Sequence, residues 1–314
     1  MVTPKLSIGL PVYNGEKYVS AALESLLDQD FEDFELIISD NASTDATEEI
    51  CRNYAARDPR VRYYRNVSNL GSARNYRRVF ELARGELFKW VAHDDLYHQR
   101  LLGRCVEVFE SAQPSVVLAY PRVDLIDEHG KVLGRAPDSV ECMGRRPYVR
   151  FAHVLLNVSY AYPVFGLARA ECLRKTRLTG AVPYWDETLL AELALYGEIV
   201  EIPEVLAQQR CHPGNAVTVV KANRLTRLAL RMWTDPSQPA PRIWLPNHEE
   251  HYWEFAKRVH HAPLSLFERL VCYGAIIFVC YWSGFRKTGG RWRRRLRERL
   301  RTARTRQESY GNGG

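Results

Sequence analysis

A chain of 314 residues, 46% of them hydrophobic, is long enough for one large domain plus an appendage and too apolar to be disordered. Its seven cysteines are odd in number and never fall in a Cys-x-x-Cys spacing, which argues against a disulfide framework and against a cysteine-based zinc site. The net charge of +7 is concentrated in Arg286 to Arg306, where eleven Lys or Arg face the single Glu298, so it describes a tail and not the bulk of the chain.

Met1 to Lys5 leads straight into an apolar strand pattern, with no basic n-region, long apolar h-region or small-residue cleavage site, and this predicts a cytoplasmic protein. Leu6 to Val12 is the first strand, and Tyr13-Asn14-Gly15 turns it into a helix with Val19, Ala22, Leu23, Leu26 and Leu27 at three-and-four spacing. Phe34 to Ser39 is apolar on both faces and ends at Asp40-Asn41. Ser43, Thr44 and Asp45 then offer N-caps to a helix that shows its face at Ile50 and Tyr54. Val61 to Arg65 is a third strand, and Asn69-Leu70-Gly71 opens a helix through Tyr76, Val79, Phe80 and Leu82 that Gly85 stops. Leu87 to Ala92 is a buried strand running into two adjacent carboxylates, Asp94 and Asp95. Four alternations of strand and helix predict an α/β fold with a mostly parallel central sheet and helices on both faces.

A helix through Leu101, Leu102, Val106 and Phe109 follows, then a strand from Val116 to Tyr120. Val123 to Ile126 and Lys131 to Leu133 flank Asp127-Glu128-His129-Gly130, a hairpin signal that adds a small antiparallel element. Pro137 to Arg146 reads as a mobile polar loop near the site, and with Val154 to Phe165 it is expected to shape the pocket. Tyr162 to Arg169 reads as a strand, Asp186 to Leu195 as a helix, and Glu198 to Ile202 and Val205 to Arg210 as extended runs. From Lys221 the character changes: Arg224 to Trp233 is amphipathic, Asp235 to Pro246 is a Pro-rich linker, His248 to Val259 is an aromatic helix, and Leu270 to Trp282 is apolar on every face. The expected division is a catalytic-type domain over 1–220, a helical C-terminal extension over 221–285 and a basic, disordered tail over 286–314. Thirteen apolar residues are too few to cross a bilayer, which needs about 20. The segment reads either as a buried helix with a solvated tail or as a peripheral contact with an anionic membrane surface. Nucleic acid is not expected, because the arginines come with only Trp292 as an interleaved aromatic and with no recognisable module.

The chemistry centres on Asp94-Asp95. An apolar run ending in paired acids puts them at the carboxyl edge of a sheet, where open α/β folds keep their ligands. Side-by-side carboxylates repel unless a cation or shared proton relieves them, and hard oxygen ligands suit magnesium or manganese on a diphosphate. A solvated helix N-terminus capped by Asp95 fits the pair alone equally well.

Taken together, Pro11-Val12-Tyr13-Asn14, Asp40-Asn41-Ala42-Ser43, Asn69-Leu70-Gly71-Ser72-Ala73-Arg74-Asn75 and Asp94-Asp95 resemble family-2 inverting glycosyltransferases of the GT-A type, over roughly Lys5 to Thr218. The resemblance implies a nucleotide-diphospho-sugar donor and a hydroxyl acceptor; a surface polysaccharide or lipid-linked glycan as that acceptor would give the apolar segment and the basic tail a purpose at the inner face of the cell membrane. It places Pro11, Tyr13, Asn14, Glu16, Asp40, Asn41, Arg74 and Asp94 around the donor nucleotide. A divalent metal, Mn2+ or Mg2+, falls to Asp95 and His212, and a donor phosphate to Arg210, from an Arg-x-His signature in QQRCHPG. His93 stands where many members carry a further acid. The general base falls to Asp186, with Glu187 as competitor; Asp186 as an N-cap and Trp185 as a sugar platform or core residue remain open. A catalytically silent nucleotide-binding module serving as an assembly partner is the alternative function.

Overall fold

The computed structural model describes residues 3–111, 114–137, 139–158, 161–180, 184–212, 234, 236 and 249–281. The first half follows the alternation read from the sequence. Strand β1 (Leu6–Val12) is followed by α1 (Val19–Leu27), β2 (Phe34–Asp40), α2 (Thr47–Arg57), β3 (Val61–Arg65), α3 (Ser72–Glu81) and β4 (Leu87–Trp90). Every residue of β1, β2 and β4 is buried. Such strands are covered on both faces, so they show as unbroken apolar runs.

The chain continues through β5 (Leu96–Tyr97), α4 (Leu101–Ser111), β6 (Val116–Ile126), β7 (Val132–Arg135), α5 (Pro147–Asn157), a 3-10 turn (Tyr162–Phe165), β8 (Leu167–Arg169), α6 (Ala170–Lys175), α7 (Trp185–Tyr196), β9 (Glu198–Arg210) and α8 (Glu249–His261). Residues 266–281 are also helical. The strands form one nine-stranded sheet in the order β3-β2-β1-β4-β8-β6-β9-β5, with β7 paired to β6. β1 to β4 are mutually parallel; β8 is antiparallel to both β4 and β6, and β9 runs parallel to β6.

The period-two alternation of strand side chains divides the interior. Leu36, Ile38, Leu87 and Val91 pack with Leu23, Leu26 and Leu102 of α1 and α4 on one face. Ile37, Phe88 and Trp90 pack with α3, α5 and α7 on the other. Phe255, Val259, Cys272 and Ile276 join this second core, so the described part of the C-terminal extension shares it. Of the C-terminal readings, the amphipathic run Arg224 to Trp233, most of the linker Asp235 to Pro246 and the tail 286–314 lie outside the described residues.

Several local expectations change. Tyr162 to Arg169 is a 3-10 turn followed by only three residues of strand, because Pro163 suits a helical first turn and Phe165 turns inward against Tyr76. Val116 to Tyr120 and Val123 to Ile126 are one strand through Pro121, and Glu198 to Arg210 is one strand through Pro203; register shifts near Pro121 and Arg122 absorb the missing amide donors. The loop Pro137 to Arg146 is pinned: Val140 and Cys142 are buried, and the Cys142 amide donates to the Ile199 carbonyl at 2.9 Å. The segment after Asp95 forms the short strand β5 before its helix begins. The apolar run from Leu270 is not buried all round over residues 270–281, where large apolar side chains face solvent, and Trp282 lies outside the described residues.

Candidate active site

The ends of β4 and β9 meet at Asp94 and Asp95, each 7% exposed. The Arg210 amide donates to Asp95 Oδ1 at 3.0 Å, and Arg210 Nε donates to the Asp94 carbonyl at 2.9 Å. Arg210 Nη1 also donates to the carbonyls of Asp127 and Glu128, both at 3.2 Å, and its guanidinium lies 4.7 Å over the Tyr18 ring. Arg210 is therefore a buried brace joining the β4 edge to the β6–β7 hairpin; the phosphate contact expected of it is not among these described bonds, which turn its fork to backbone oxygens. His212 Nε2 stands 2.9 Å from Asp94 Oδ2, and its ring packs 5.1 Å from Tyr18.

Burial pushes both carboxyls up. For Asp94 the His212 hydrogen bond and the charges of His93 and His212 outweigh it, holding that acid below the usual carboxylate range. For Asp95 burial and the Asp94 charge prevail, and the carboxyl stands well above it. Lys89, 1% exposed, lies on β4 behind the pair; it donates to the Phe165 carbonyl, and burial lowers its ammonium to about 8. A lysine inside an apolar strand carries no sequence signal for this position. His93 fills the space above Gly15: a β-carbon at Gly15 lies 2.6 Å from His93 Cδ2, so the turn after β1 needs glycine there.

Along the same edge Tyr13, Asn14, Glu16 and Arg74 are exposed, and Pro11 is buried in β1. Asn14 Oδ1 accepts the Thr44 amide at 2.9 Å and Glu16 Oε2 the Ala46 amide at 2.9 Å, tying the β1 and β2 loops together. Asp40 is fully buried. Its oxygens accept the Ser43 amide at 2.8 Å, the Tyr63 hydroxyl at 2.7 Å and Arg65 Nη1 at 2.9 Å, so a ligand contact from Asp40 has to share an oxygen already in use. Asn41 bonds Asn66, Asn69 and the Leu70 amide, which turns the Asn69 to Asn75 motif into an internal network with Ser39.

Asp186 opens α7. It is half-buried, and burial together with the Glu187 charge pushes its carboxyl up to about 7. Its described side-chain bond is to the Glu187 amide at 3.0 Å, within the first turn. Glu187 Oε2 is instead 3.1 Å from His251 Nε2 of α8. Trp185 is core: 8% exposed, it packs 5.3 Å from Tyr76 and 6.1 Å from Trp90. Across β8 from β4, a cavity of about 260 Å³ is lined by Tyr120, Arg122, Arg135, Tyr162, Pro163 and Glu201, with Pro137 and Ser139 from the pinned loop. Ala119 and Lys89 both pair with Leu167, so this cavity opens at the level of the β4 edge, two strand spacings or about 10 Å to the side.

Residues 7–174, more than half of the chain, match the description "Glycosyl transferase family 2". The chain belongs to that family. Its relatives include an uncharacterized glycosyltransferase of Rickettsia typhi, 33% identical over 40% of this chain and 38% of that protein. Another, from a Nostoc species, is 29% identical over 67% of this chain and 66% of its own. The matched stretch is thus under half the length of the Rickettsia relative. Among solved structures, S. aureus TarS 1–349 in complex with UDP-GlcNAc superposes with a TM-score of 0.58 at 18% identity, covering 85% of this chain and 70% of that one. The mannosyltransferase PcManGT from Pyrobaculum calidifontis, in complex with GDP-Man and Mn2+, superposes with a TM-score of 0.51 at 17% identity, covering 91% and 81%. The expected GT-A fold, a mostly parallel sheet flanked by helices, is the fold observed.

Tyr76, Tyr18 and His251 are site-lining residues that the family motifs do not single out. Tyr76 sits on α3 between Phe165 and Trp185, its backbone carbonyl held by Trp90 Nε1 at 2.9 Å. Burial and the charges of Asp94, Asp95 and Asp186 raise its hydroxyl, which puts one phenol in the field of all three acids. Among the described residues no group of three or more His, Cys, Asp or Glu side chains is gathered to hold a metal ion. The donor set still fits an open oxygen-rich site, because Asp95 Oδ2 accepts no bond among the described contacts and a diphosphate brings further oxygens.

Proposed function

We propose that the protein transfers a sugar from a nucleotide-diphosphate donor to a hydroxyl acceptor in a single displacement, with inversion at the anomeric carbon. What supports this reading is that the charges of Asp94, Asp95 and Asp186 all act on the one Tyr76 hydroxyl, with burial and the Glu187 charge pushing the Asp186 carboxyl up to about 7. Asp186 takes the acceptor's hydroxyl proton as the new bond to the anomeric carbon forms and the bond to the diphosphate oxygen breaks. Tyr13, Asn14, Glu16 and Arg74 form the rim for the nucleoside; Pro11, Asp40 and Asn41 shape its floor; Asp94 holds the sugar or ribose. Asp95 and His212 would hold a divalent metal, Mn2+ or Mg2+, which would supply positive charge for the departing diphosphate. Arg210 keeps these groups in register through its bonds to Asp95 and to the Asp94, Asp127 and Glu128 carbonyls, and its guanidinium adds positive charge beside the phosphates. The cavity beyond β8 takes the acceptor, read as a polysaccharide or lipid-linked glycan at the inner face of the membrane.

Thermal-shift measurements with UDP, GDP, TDP and CDP, each with manganese, magnesium or excess chelator, test the donor half. One diphosphate is expected to raise Tm only with metal, by the amount that about 2.7 kcal/mol of stabilisation gives at a hundredfold excess over Kd. Asp95→Ala is expected to remove that shift while leaving the unliganded Tm within a few degrees. Absence of any shift removes the donor site. A metal-dependent shift without turnover of any sugar donor favours the silent binding module.

A further inference from the structure

The helical segment 266–281 is amphipathic in a way that its run of apolar residues conceals. Leu266, Phe267, Leu270, Ile277, Phe278 and Tyr281 are each between 56% and 78% exposed. At about 100° per residue these six and Gly274 fall within one arc of about 120°. A β-carbon at Gly274 meets nothing within 4 Å, as expected on an open face. The opposite side carries Cys272 and Ile276, buried in the core shared with Phe255 and Val259 of α8. The segment is seated by that side and, in its first turn, by the Phe267 ring 6.0 Å from Tyr148 of α5, and the rest of its other side is an apolar stripe in a helix about 24 Å long. Its only charged residues, Glu268 and Arg269, lie in the first turn.

We propose that this stripe lies on an anionic lipid surface, with Phe267, Phe278 and Tyr281 at the boundary between headgroups and acyl chains. The charge pattern selects this occupant. The sequence that follows the helix carries eleven Lys or Arg against one Glu between 286 and 306, complementary to lipid phosphates. A second copy of the chain on the same stripe brings two such segments together, which like charges oppose. The segment lies on the membrane and does not cross it, since no helix among the described residues is long and apolar enough to span. Aromatic rings and arginines beside an apolar face are what an interfacial helix uses. The contact stands apart from the transfer chemistry and gives a lipid-linked acceptor a reason to meet the site.

Flotation of the full-length protein with phosphatidylcholine vesicles, and with vesicles of phosphatidylcholine mixed with phosphatidylglycerol, tests this directly. The protein is expected to float with the anionic vesicles at low salt and to stay in solution with the neutral ones. A double variant, Leu270→Ser with Ile277→Ser, is expected to lose roughly tenfold in vesicle affinity with unchanged Tm, because both side chains are exposed. Thermal shift with nucleoside diphosphates serves as the separate control on the donor site. Wild-type protein that stays in solution with both vesicles overturns the proposal. So does a double variant that floats as well as wild type, which assigns binding to the tail alone. Wild-type dimers that the double variant converts to monomers, with no flotation of either, assign the stripe to a second copy.

Discussion

Asp186→Asn is expected to slow sugar transfer by roughly 10²- to 10⁴-fold while the nucleoside diphosphate still raises Tm as it does for wild type. A general base acts only on the acceptor's proton, so its loss falls on kcat and leaves the donor's contacts in place. Burial and the neighbouring Glu187 charge hold the carboxyl at about 7, against 3.8 for an ordinary aspartate. The active form is the deprotonated one; the wild-type rate is therefore expected to fall as pH drops through about 7, and the residual rate of Asp186→Asn to lose that limb. The stability sign runs the other way from the usual carboxylate. The folded carboxyl keeps its proton to higher pH than the unfolded one, so folding loses stability as pH rises from about 4 to about 7. Asparagine removes this, and at pH 8 the variant's Tm is expected to be no lower than wild type, which separates lost chemistry from lost folding. Glu187→Gln is expected to cost far less, because that carboxylate is paired with His251 at 3.1 Å. If Glu187→Gln abolishes transfer and Asp186→Asn does not, the two roles exchange.

Arg258→Ala is expected to destabilise the fold by about 3–5 kcal/mol and to lower Tm by about 10 °C. Arg258 and Glu192 are both fully buried, one on α8 and one on α7, and they form a direct ion pair. Arg258 Nη2 also donates to the Leu178 carbonyl at 2.8 Å. Truncating the arginine leaves a carboxylate inside the core with its main positive partner gone. A double variant, Arg258→Met with Glu192→Met, is expected to recover part of the loss, since a buried ion pair replaced by packed apolar groups is often near neutral. Recovery is incomplete because Glu192 also accepts the Arg177 amide at 3.1 Å. Calorimetric melting of both variants beside wild type reads this out; an unchanged Tm for Arg258→Ala removes the pair as a link between the C-terminal helices and α7.

The first half of the fold was legible in the chain alone. β1, β2 and β4 are covered on both faces, so each is a continuous apolar run, and the helices between them repeat at three and four residues. Asp94 and Asp95 were legible as paired acids just past the end of a buried strand, though the pair by itself fitted a helix cap as well as a ligand edge. Beyond β4 the local pattern weakens. Pro121 and Pro203 look like strand breaks and are accommodated by register shifts that only the neighbouring strand specifies, and a 3-10 turn over Tyr162–Phe165 has the composition of a strand. What no pattern carries is which polar atoms meet. His212 reaches Asp94 across 118 residues, His251 reaches Glu187 across 64, and Asp40 spends its oxygens on Ser43, Tyr63 and Arg65. By itself the sequence determined the mostly parallel sheet and the acids that follow its strands, because burial and turn chemistry are local. The tertiary structure decided which acid is half-buried and raised toward neutrality, which is held ionised, and which face of residues 266–281 is left open, because each depends on groups brought together only when the sheet and helices close.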